Sequence, residues 1–231
     1  MSTAPVVPFE ALVFDLDGTL IDSAPDVCAA VSRALTAEGR RTLTVDETKR
    51  MLGSGGRALV ERALALTGDP GTANDIERAL RAFLATYAAN PVEHTKVFPG
   101  VHDVLTQLQG SGVRLGICTN RPTATTAPVL RALDLDGYFT VVSCGDAVPH
   151  RKPDGRHVLD VVTRLGTHRD AAAMIGDNEN DINAARDAGV RSVVVTFGYA
   201  HAPAATLGAD ALIDRFEDLP DALSRIAATV G

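Results

Sequence analysis

The sequence predicts an α/β fold, a parallel sheet covered by helices, with a block of further helices inserted after the first strand. Three observations predict it. Short apolar runs of strand length alternate with single segments of helix length, the pattern of a sheet whose crossovers are helices. One gap breaks that rhythm: almost a hundred residues separate Phe14 from Val113. Inside it, apolar residues recur at helical spacing and nowhere alternate as in a strand.

The elements follow in order. Residues 11–14, 113–118, 140–143, 171–175 and 192–196 are apolar runs that read as strands, and 211–213 is a weaker one. Residues 122–132, 155–165 and 181–188 read as the crossover helices. In the long gap, amphipathic segments are expected at 25–38, 45–52, 57–67 and 74–87. The first places Val27, Val31, Ala34 and Leu35 on one helical face, and the last places Ile76, Leu80, Phe83 and Leu84 on one. Residues 20–23 and 95–99 are the expected hinges. The organisation is therefore a Rossmann-like core from 1–21 and 95–231, with a helical domain at 22–94.

Composition bounds the function. With 22 Lys+Arg against 29 Asp+Glu, the net charge is −7, which argues against nucleic acid or an anionic membrane as a partner. The 45% apolar share supplies a core. The 231 residues fit one large domain or a domain with an insertion. Cys28, Cys118 and Cys144 are odd in number and widely spaced, so neither a disulfide framework nor a zinc site is indicated. The N-terminal Met-Ser-Thr-Ala-Pro-Val-Val-Pro lacks the basic and apolar regions of a secretory leader, and no window is apolar enough to span a bilayer. A cytoplasmic location is expected. No sequence feature sets an oligomeric state.

The chemistry-bearing residues sit at strand ends. The first strand runs into Asp15-Leu16-Asp17-Gly18-Thr19-Leu20, and residues two apart in an extended chain share a face. In open parallel sheets the carboxyl ends of the strands are where ligands bind. A second cluster, Gly176-Asp177-Asn178-Glu179-Asn180-Asp181, follows another apolar run, with Asp177 and Asp181 four apart at a helix start. One such cluster is commonly a solvated turn. Two, each directly after a buried strand, point to a hard divalent cation held by oxygens, Mg2+ first. Thr119-Asn120-Arg121 ends a strand ahead of Pro122, where a hydroxyl and free N–H groups suit a phosphate as well as an ordinary N-cap. Lys152 precedes the next helix and supplies a fixed positive charge. The six histidines show no metal spacing.

Asp15-Leu-Asp-Gly-Thr-Leu, Thr119-Asn, Lys152-Pro and Gly176-Asp-Asn-Glu-Asn-Asp181 together resemble the four ordered motifs of the haloacid dehalogenase-like hydrolases, over nearly the whole chain. The helical insert resembles that superfamily's cap. The stretch from Val13 through Asp26, and Phe98-Pro-Gly-Val101, look most like the phosphoglycolate phosphatases within it. The resemblance implies a Mg2+-dependent phosphatase acting on a small anionic phosphate ester, with 2-phosphoglycolate giving glycolate and phosphate. Asp15 would be the nucleophile that becomes an aspartyl-phosphate, and Asp17 the acid and base. Asp15, Asp177 and the Asp17 backbone carbonyl would bind the metal, with Asp181, Gly18 and Asn120 in support. Thr119 and Lys152 would hold phosphoryl oxygens.

Asp17 itself favours phosphoryl transfer, because the dehalogenases proper lack this second acid. Two positions depart from the usual pattern: Asn178 stands where Ser is common, and Arg121 where Lys is. For selectivity, Gly53-Ser-Gly-Gly-Arg57 is a loop between helices bearing one cation, and Arg57 or its neighbours are expected to meet a substrate carboxylate, with Arg121 a second candidate. Glycines of a plain interhelical turn and a solvated Arg57 are the equal alternative. Two other functions remain open: a similar phosphatase acting on a sugar phosphate or pyrophosphate, and a phosphoacceptor receiver module, which the Asp-x-Asp-Gly-Thr order disfavours.

Overall fold

The computed structural model describes residues 8–228; the ends of the expected core, 1–7 and 229–231, lie outside them. In chain order the elements are β1 (Ala11–Phe14), β2 (Ile21–Asp22), α1 (Ala24–Ala37), α2 (Val45–Lys49), α3 (Gly56–Thr67) and α4 (Ala73–Ala89). There follow β3 (Lys96–Val97), α5 (Val101–Gly110), β4 (Arg114–Thr119), α6 (Thr123–Ala132), β5 (Val141–Cys144) and α7 (Gly155–Arg164). The chain continues through β6 (Ala172–Gly176), α8 (Glu179–Ala188), β7 (Arg191–Val195), β8 (Ala211–Ile213) and α9 (Leu219–Ala228).

Six of the strands form one parallel sheet in the order β5-β4-β1-β6-β7-β8. Each strand is apolar on both faces, because helices cover both. Leu12 and Phe14 turn to a cluster with Val104, Leu105 and Leu108 of α5 and Leu219, Leu223 and Ile226 of α9. Ala11 and Val13 turn the other way, to Val158, Val161 and Val162 of α7 and Ala184, Ala185 and Ala188 of α8. The chain builds the sheet outward from β1 through β4 to β5, then crosses back to β6 and continues the other way. The order reverses at β1, so a crevice opens beyond the carboxyl ends of β4, β1 and β6. That is where the sequence places Thr119, Asp15 and Asp177.

Helices α1 to α4 pack on one another rather than on the sheet. Val31, Leu35, Leu59, Ala63, Leu64, Phe83 and Tyr87 form an apolar cluster of their own. Both links to the sheet pass through the antiparallel pair β2–β3. The second expected helix of this block stops early, at Lys49, with turn residues carrying the chain on to Gly53, whose φ is +96°. Two helices absent from the sequence reading, α5 and α9, cover one face of the sheet. No helix among the described residues is long and apolar enough to cross a membrane.

Candidate active site

Four charged side chains meet below the crevice, and the backbone fixes each. The N–H of Asp15 donates to the Ile175 carbonyl (2.9 Å), which holds the first residue past β1 against the end of β6. Its Oδ1 accepts from the Leu16 N–H (2.7 Å) and faces Lys152 Nζ at 2.9 Å. Lys152 reaches Asp181 Oδ1 at 2.6 Å, and its side chain is 1% exposed. Asp181 Oδ2 accepts from the N–H groups of Asp177 (3.1 Å) and Asn178 (3.2 Å), closing the first turn of α8. Asp177 accepts from the Tyr199 N–H (2.6 Å) on one oxygen, and from Asn178 Nδ2 (3.0 Å) and the Thr19 hydroxyl (3.4 Å) on the other. Gly18, at φ +88°, lies so close to this carboxylate and the Tyr199 ring that a Cβ would collide with both.

The electrostatics follow from burial. Burial pushes Asp15 up to about 7; Asp181 and Asp17 add to the rise, and Lys152 opposes it. Burial likewise pushes Asp177 well above the carboxylate range, helped by Asp181 and Asp15. Burial works against the charge on Lys152, but Asp15 and Asp181 outweigh it and raise its pKa. Oxygens of Asp15, Asp177 and Asp181 lie within 4.8 Å of one another and are all buried. Three buried carboxylates against one ammonium leave negative charge that a cation would balance, and the donors are hard oxygens. The site therefore fits a divalent metal such as Mg2+. Asp181 is already engaged by Lys152 and two N–H groups, as suits a supporting rather than a principal ligand.

Asp17 lies apart from this cluster. Its Oδ1 accepts from the Ser23 hydroxyl (2.5 Å) and from Arg121 Nη1 (2.5 Å). Thr119 is buried at the end of β4, its hydroxyl accepting from the Arg121 N–H (3.2 Å). Asn120 Nδ2 donates both to the Lys152 carbonyl and to the Gly53 carbonyl (2.9 Å each), tying the motif loops to the helical block. A cavity of about 60 Å³ adjoins Asp15, Asp17 and Thr119. Its far wall is Val27, Leu52, Leu59, Phe83 and Leu84.

Of the Gly53–Arg57 loop, Gly53, Gly55 and Gly56 line this cavity and Arg57 does not. Leu59, Val60, Ala63 and Leu64 fix the inner face of α3, so Arg57 projects outward to Glu77 (2.6 Å) and Glu61 (3.5 Å) with its side chain 47% exposed. The buried cation of the cavity is Arg121. Sequence reasoning missed Tyr87, whose hydroxyl accepts from Arg121 Nη2, and Ser23 and Tyr199. Tyr87 continues the apolar phase of Ile76, Leu80 and Phe83, so its spacing marks it only as core.

Residues 12–195 match the family described as haloacid dehalogenase-like hydrolase. A phosphoglycolate phosphatase of Caulobacter vibrioides is 41% identical, aligned over 96% of this chain and 94% of that one. One from Agrobacterium fabrum is 36% identical over 96% and 95%. Among solved structures, a predicted phosphoglycolate phosphatase from Haemophilus somnus 129PT superposes with a TM-score of 0.88 at 28% identity, covering 92% of this chain and 97% of that one. CbbY from Rhodobacter sphaeroides in complex with phosphate gives 0.77 at 28%, covering 94% and 99%. A point mutant of the same protein, in complex with xylulose-(1,5)bisphosphate, gives 0.78 at 27%, covering 91% and 96%. The chain belongs to the haloacid dehalogenase-like hydrolases. It is an enzyme of their phosphatase kind, a phosphoric monoester hydrolase.

Proposed function

We propose that the chain is a Mg2+-dependent phosphatase that hydrolyses 2-phosphoglycolate to glycolate and phosphate through an aspartyl-phosphate on Asp15, with residues 22–94 as a cap over the core of 1–21 and 95–231. The observation that carries this reading is the convergence of Asp15, Lys152, Asp177 and Asp181 beyond three adjacent strand ends, with Asp15 bordering a cavity whose opposite wall is the helical block.

Both bonds to the Asp15 carboxylate fall on Oδ1, which leaves Oδ2 to attack phosphorus. The bond from Oδ2 to phosphorus forms as the bond to the ester oxygen breaks. Asp17 gives its proton to the departing alkoxide, then takes one from the water that attacks the phospho-Asp15. Phosphate and regenerated Asp15 result. Lys152 and the Thr119 hydroxyl offset the charge on the phosphoryl oxygens. Asp15, Asp177 and the Asp17 carbonyl would hold Mg2+, which would neutralise the phosphoryl group and so let two anions approach. The net acidity and three buried free cysteines support a reducing, cytoplasmic setting.

The relatives' names support 2-phosphoglycolate. The ligand of the CbbY mutant supports the sugar-phosphate alternative. A panel of kcat/KM values over 2-phosphoglycolate, sugar phosphates and pyrophosphate decides between them, run with Mg2+ and again in chelator. The expected result is a preference for 2-phosphoglycolate, with turnover abolished by chelator and by Asp15→Asn. Turnover that survives either treatment sinks the mechanism. Preference for a sugar phosphate overturns the substrate alone.

A further inference from the structure

We infer that Arg121 is the specificity-determining residue, reading a carboxylate that the substrate carries next to its phosphoester. The inference rests on the phosphatase reading above and adds which side chain selects the substrate, and by what chemistry.

Arg121 is the one cationic side chain lining the cavity, and it is 4% exposed. Its Nη1 is committed to Asp17 (2.5 Å), and Nη2 gives one hydrogen to the Tyr87 hydroxyl. The guanidinium carbon lies 4.8 Å from the centre of the Tyr87 ring, so a cation–π contact holds the group as well as its hydrogen bonds. Its Nε has no partner. The Nε–Nη2 edge is one of the forks on which a guanidinium takes a carboxylate with two parallel bonds. Here that edge is buried, half used and fixed in direction. An unpartnered buried N–H is uncommon enough to call for an explanation, and a ligand oxygen supplies one.

Arg121 lies next to the chemistry: in the phosphatase reading Asp17 touches the ester oxygen in order to protonate it, and Arg121 touches Asp17 through Nη1. The Nε–Nη2 edge lies on the other side of the guanidinium from that bond, so the carboxylate is read past Nη1. Most of the opposite wall is apolar, so a polar tail lying against Val27, Leu52, Leu59, Phe83 or Leu84 would be buried without partners; Gly53, Gly55, Gly56 and the Tyr87 hydroxyl are the polar points of that wall. The reader thus sits on the core, beside the acid it serves, and the helical block supplies shape.

The test compares kcat/KM for 2-phosphoglycolate with that for its carboxamide, which keeps the shape and loses the charge. The wild-type enzyme is expected to prefer the carboxylate by about 100-fold. In Arg121→Gln that ratio should fall to within about threefold, and Arg121→Lys, which keeps the charge without the fork, should lie between. A ratio in Arg121→Gln equal to that of the wild type overturns the inference and leaves the phosphatase reading intact. No preference in the wild type, with brisk turnover of a sugar phosphate, overturns the substrate reading instead. Because Arg121 also orients Asp17, turnover of both compounds could vanish in the variant. Calorimetric binding of both compounds to Asp15→Asn and to Asp15→Asn with Arg121→Gln then gives the same comparison without chemistry. A preference kept in the double variant overturns the inference, and a preference lost supports it.

Discussion

The two walls of the cavity are made of opposite materials. On the sheet side the cavity meets the ionisable groups Asp15, Asp17 and Arg121, with Lys152, Asp177 and Asp181 buried behind them. On the helical side, the cavity meets aliphatic and aromatic side chains, glycines and a single phenol. The charges of α1 to α4 lie mainly outside, in pairs such as Arg41–Glu47, Arg57–Glu77 and Arg78–Glu38. A buried charge is tolerable only with its partners fixed, which demands the rigid strand ends and helix starts of the core. An apolar wall makes no such demand and can move without breaking ion pairs. In the proposed reading, chemistry falls to the charged wall and selection by shape to the apolar one.

Lys152→Met is expected to have the largest effect on that division. It removes the one cation between Asp15 and Asp181, leaving two buried carboxylates facing one another. Stability should fall by about 3–5 kcal/mol, the cost of orphaning one side of a buried pair. The rate constant kcat should fall by about 100- to 1000-fold, as when a charge-stabilising donor is lost. Urea unfolding and steady-state kinetics measure the two. A variant as stable as the wild type would mean that the carboxylates are neutral in the folded protein and that the core wall is not a charged network.

Next come two matched truncations. Phe216 is 1% exposed and packs on Phe14 in the sheet core, and Phe83 is 4% exposed and stacks on Tyr87 in the helical block. Each change to Ala should cost about 3–5 kcal/mol locally. Phe216→Ala should lower amide hydrogen-exchange protection along β1, β4 and β6. Phe83→Ala should lower it in α1, α3 and α4 while the sheet keeps its protection, and should raise KM more than it lowers kcat. Equal loss across both regions would show one cooperative unit, and the contrast between the walls would then carry no independent motion.

How much of this was readable in advance depends on what a side chain needs in order to be placed. Asp15, Thr119 and Asp177 were legible because an apolar run followed by a polar residue marks a strand end, and parallel strands bring their ends together. The helices α5 and α9 were equally readable. Val101, Val104, Leu105 and Leu108, and Leu219, Ala222, Leu223 and Ile226, each have the spacing of one helical face, yet the expectation stops at the strands. For Arg57 the sequence leaves two readings open, and the phase of Leu59, Val60, Ala63 and Leu64 favours the solvated one by turning it outward. Tyr87 is different. Its spacing makes it core, and the destination of its hydroxyl depends on a contact with Arg121, 34 residues on, that no local pattern encodes.

A pH titration separates the two regions by sign. Asp15 and Asp177 are raised by burial, so in metal-free protein the stability they contribute is present below their unfolded values and is lost as pH rises; for Asp15 the window runs from about 4 to about 7. Asp26 of α1 goes the other way. Burial would raise it, but the Thr95 hydroxyl and the N–H groups of 93–95 outweigh that and lower it. Its contribution is present above its unfolded value and is lost as pH falls through the folded one. Added Mg2+ should therefore raise Tm more at pH 8 than at pH 5, because the cation balances only the first set. In Asp26→Asn, the acid-side loss of Tm should flatten while the Mg2+ response stays. An equal Mg2+ shift at both pH values would break the contrast.

The smallest effect belongs to Arg57→Gln, and it tests the boundary between the walls. Arg57 sits in the first turn of α3 with half-exposed partners on both sides, Glu61 one turn on and Glu77 of α4. Exposed pairs of this kind contribute about 0–1 kcal/mol, because solvent screens them and ordering two long side chains opposes them. Stability should stay within about 0.5 kcal/mol of wild type. Since the side chain faces away from the cavity, kcat/KM for 2-phosphoglycolate should stay within about twofold, while Arg121→Gln loses the discrimination between carboxylate and carboxamide. A tenfold rise in KM in Arg57→Gln would mean that α3 turns during turnover and carries its outer face to the substrate. The charged exterior of the helical block would then belong to the site, and the assignment of all charge recognition to the core would fall.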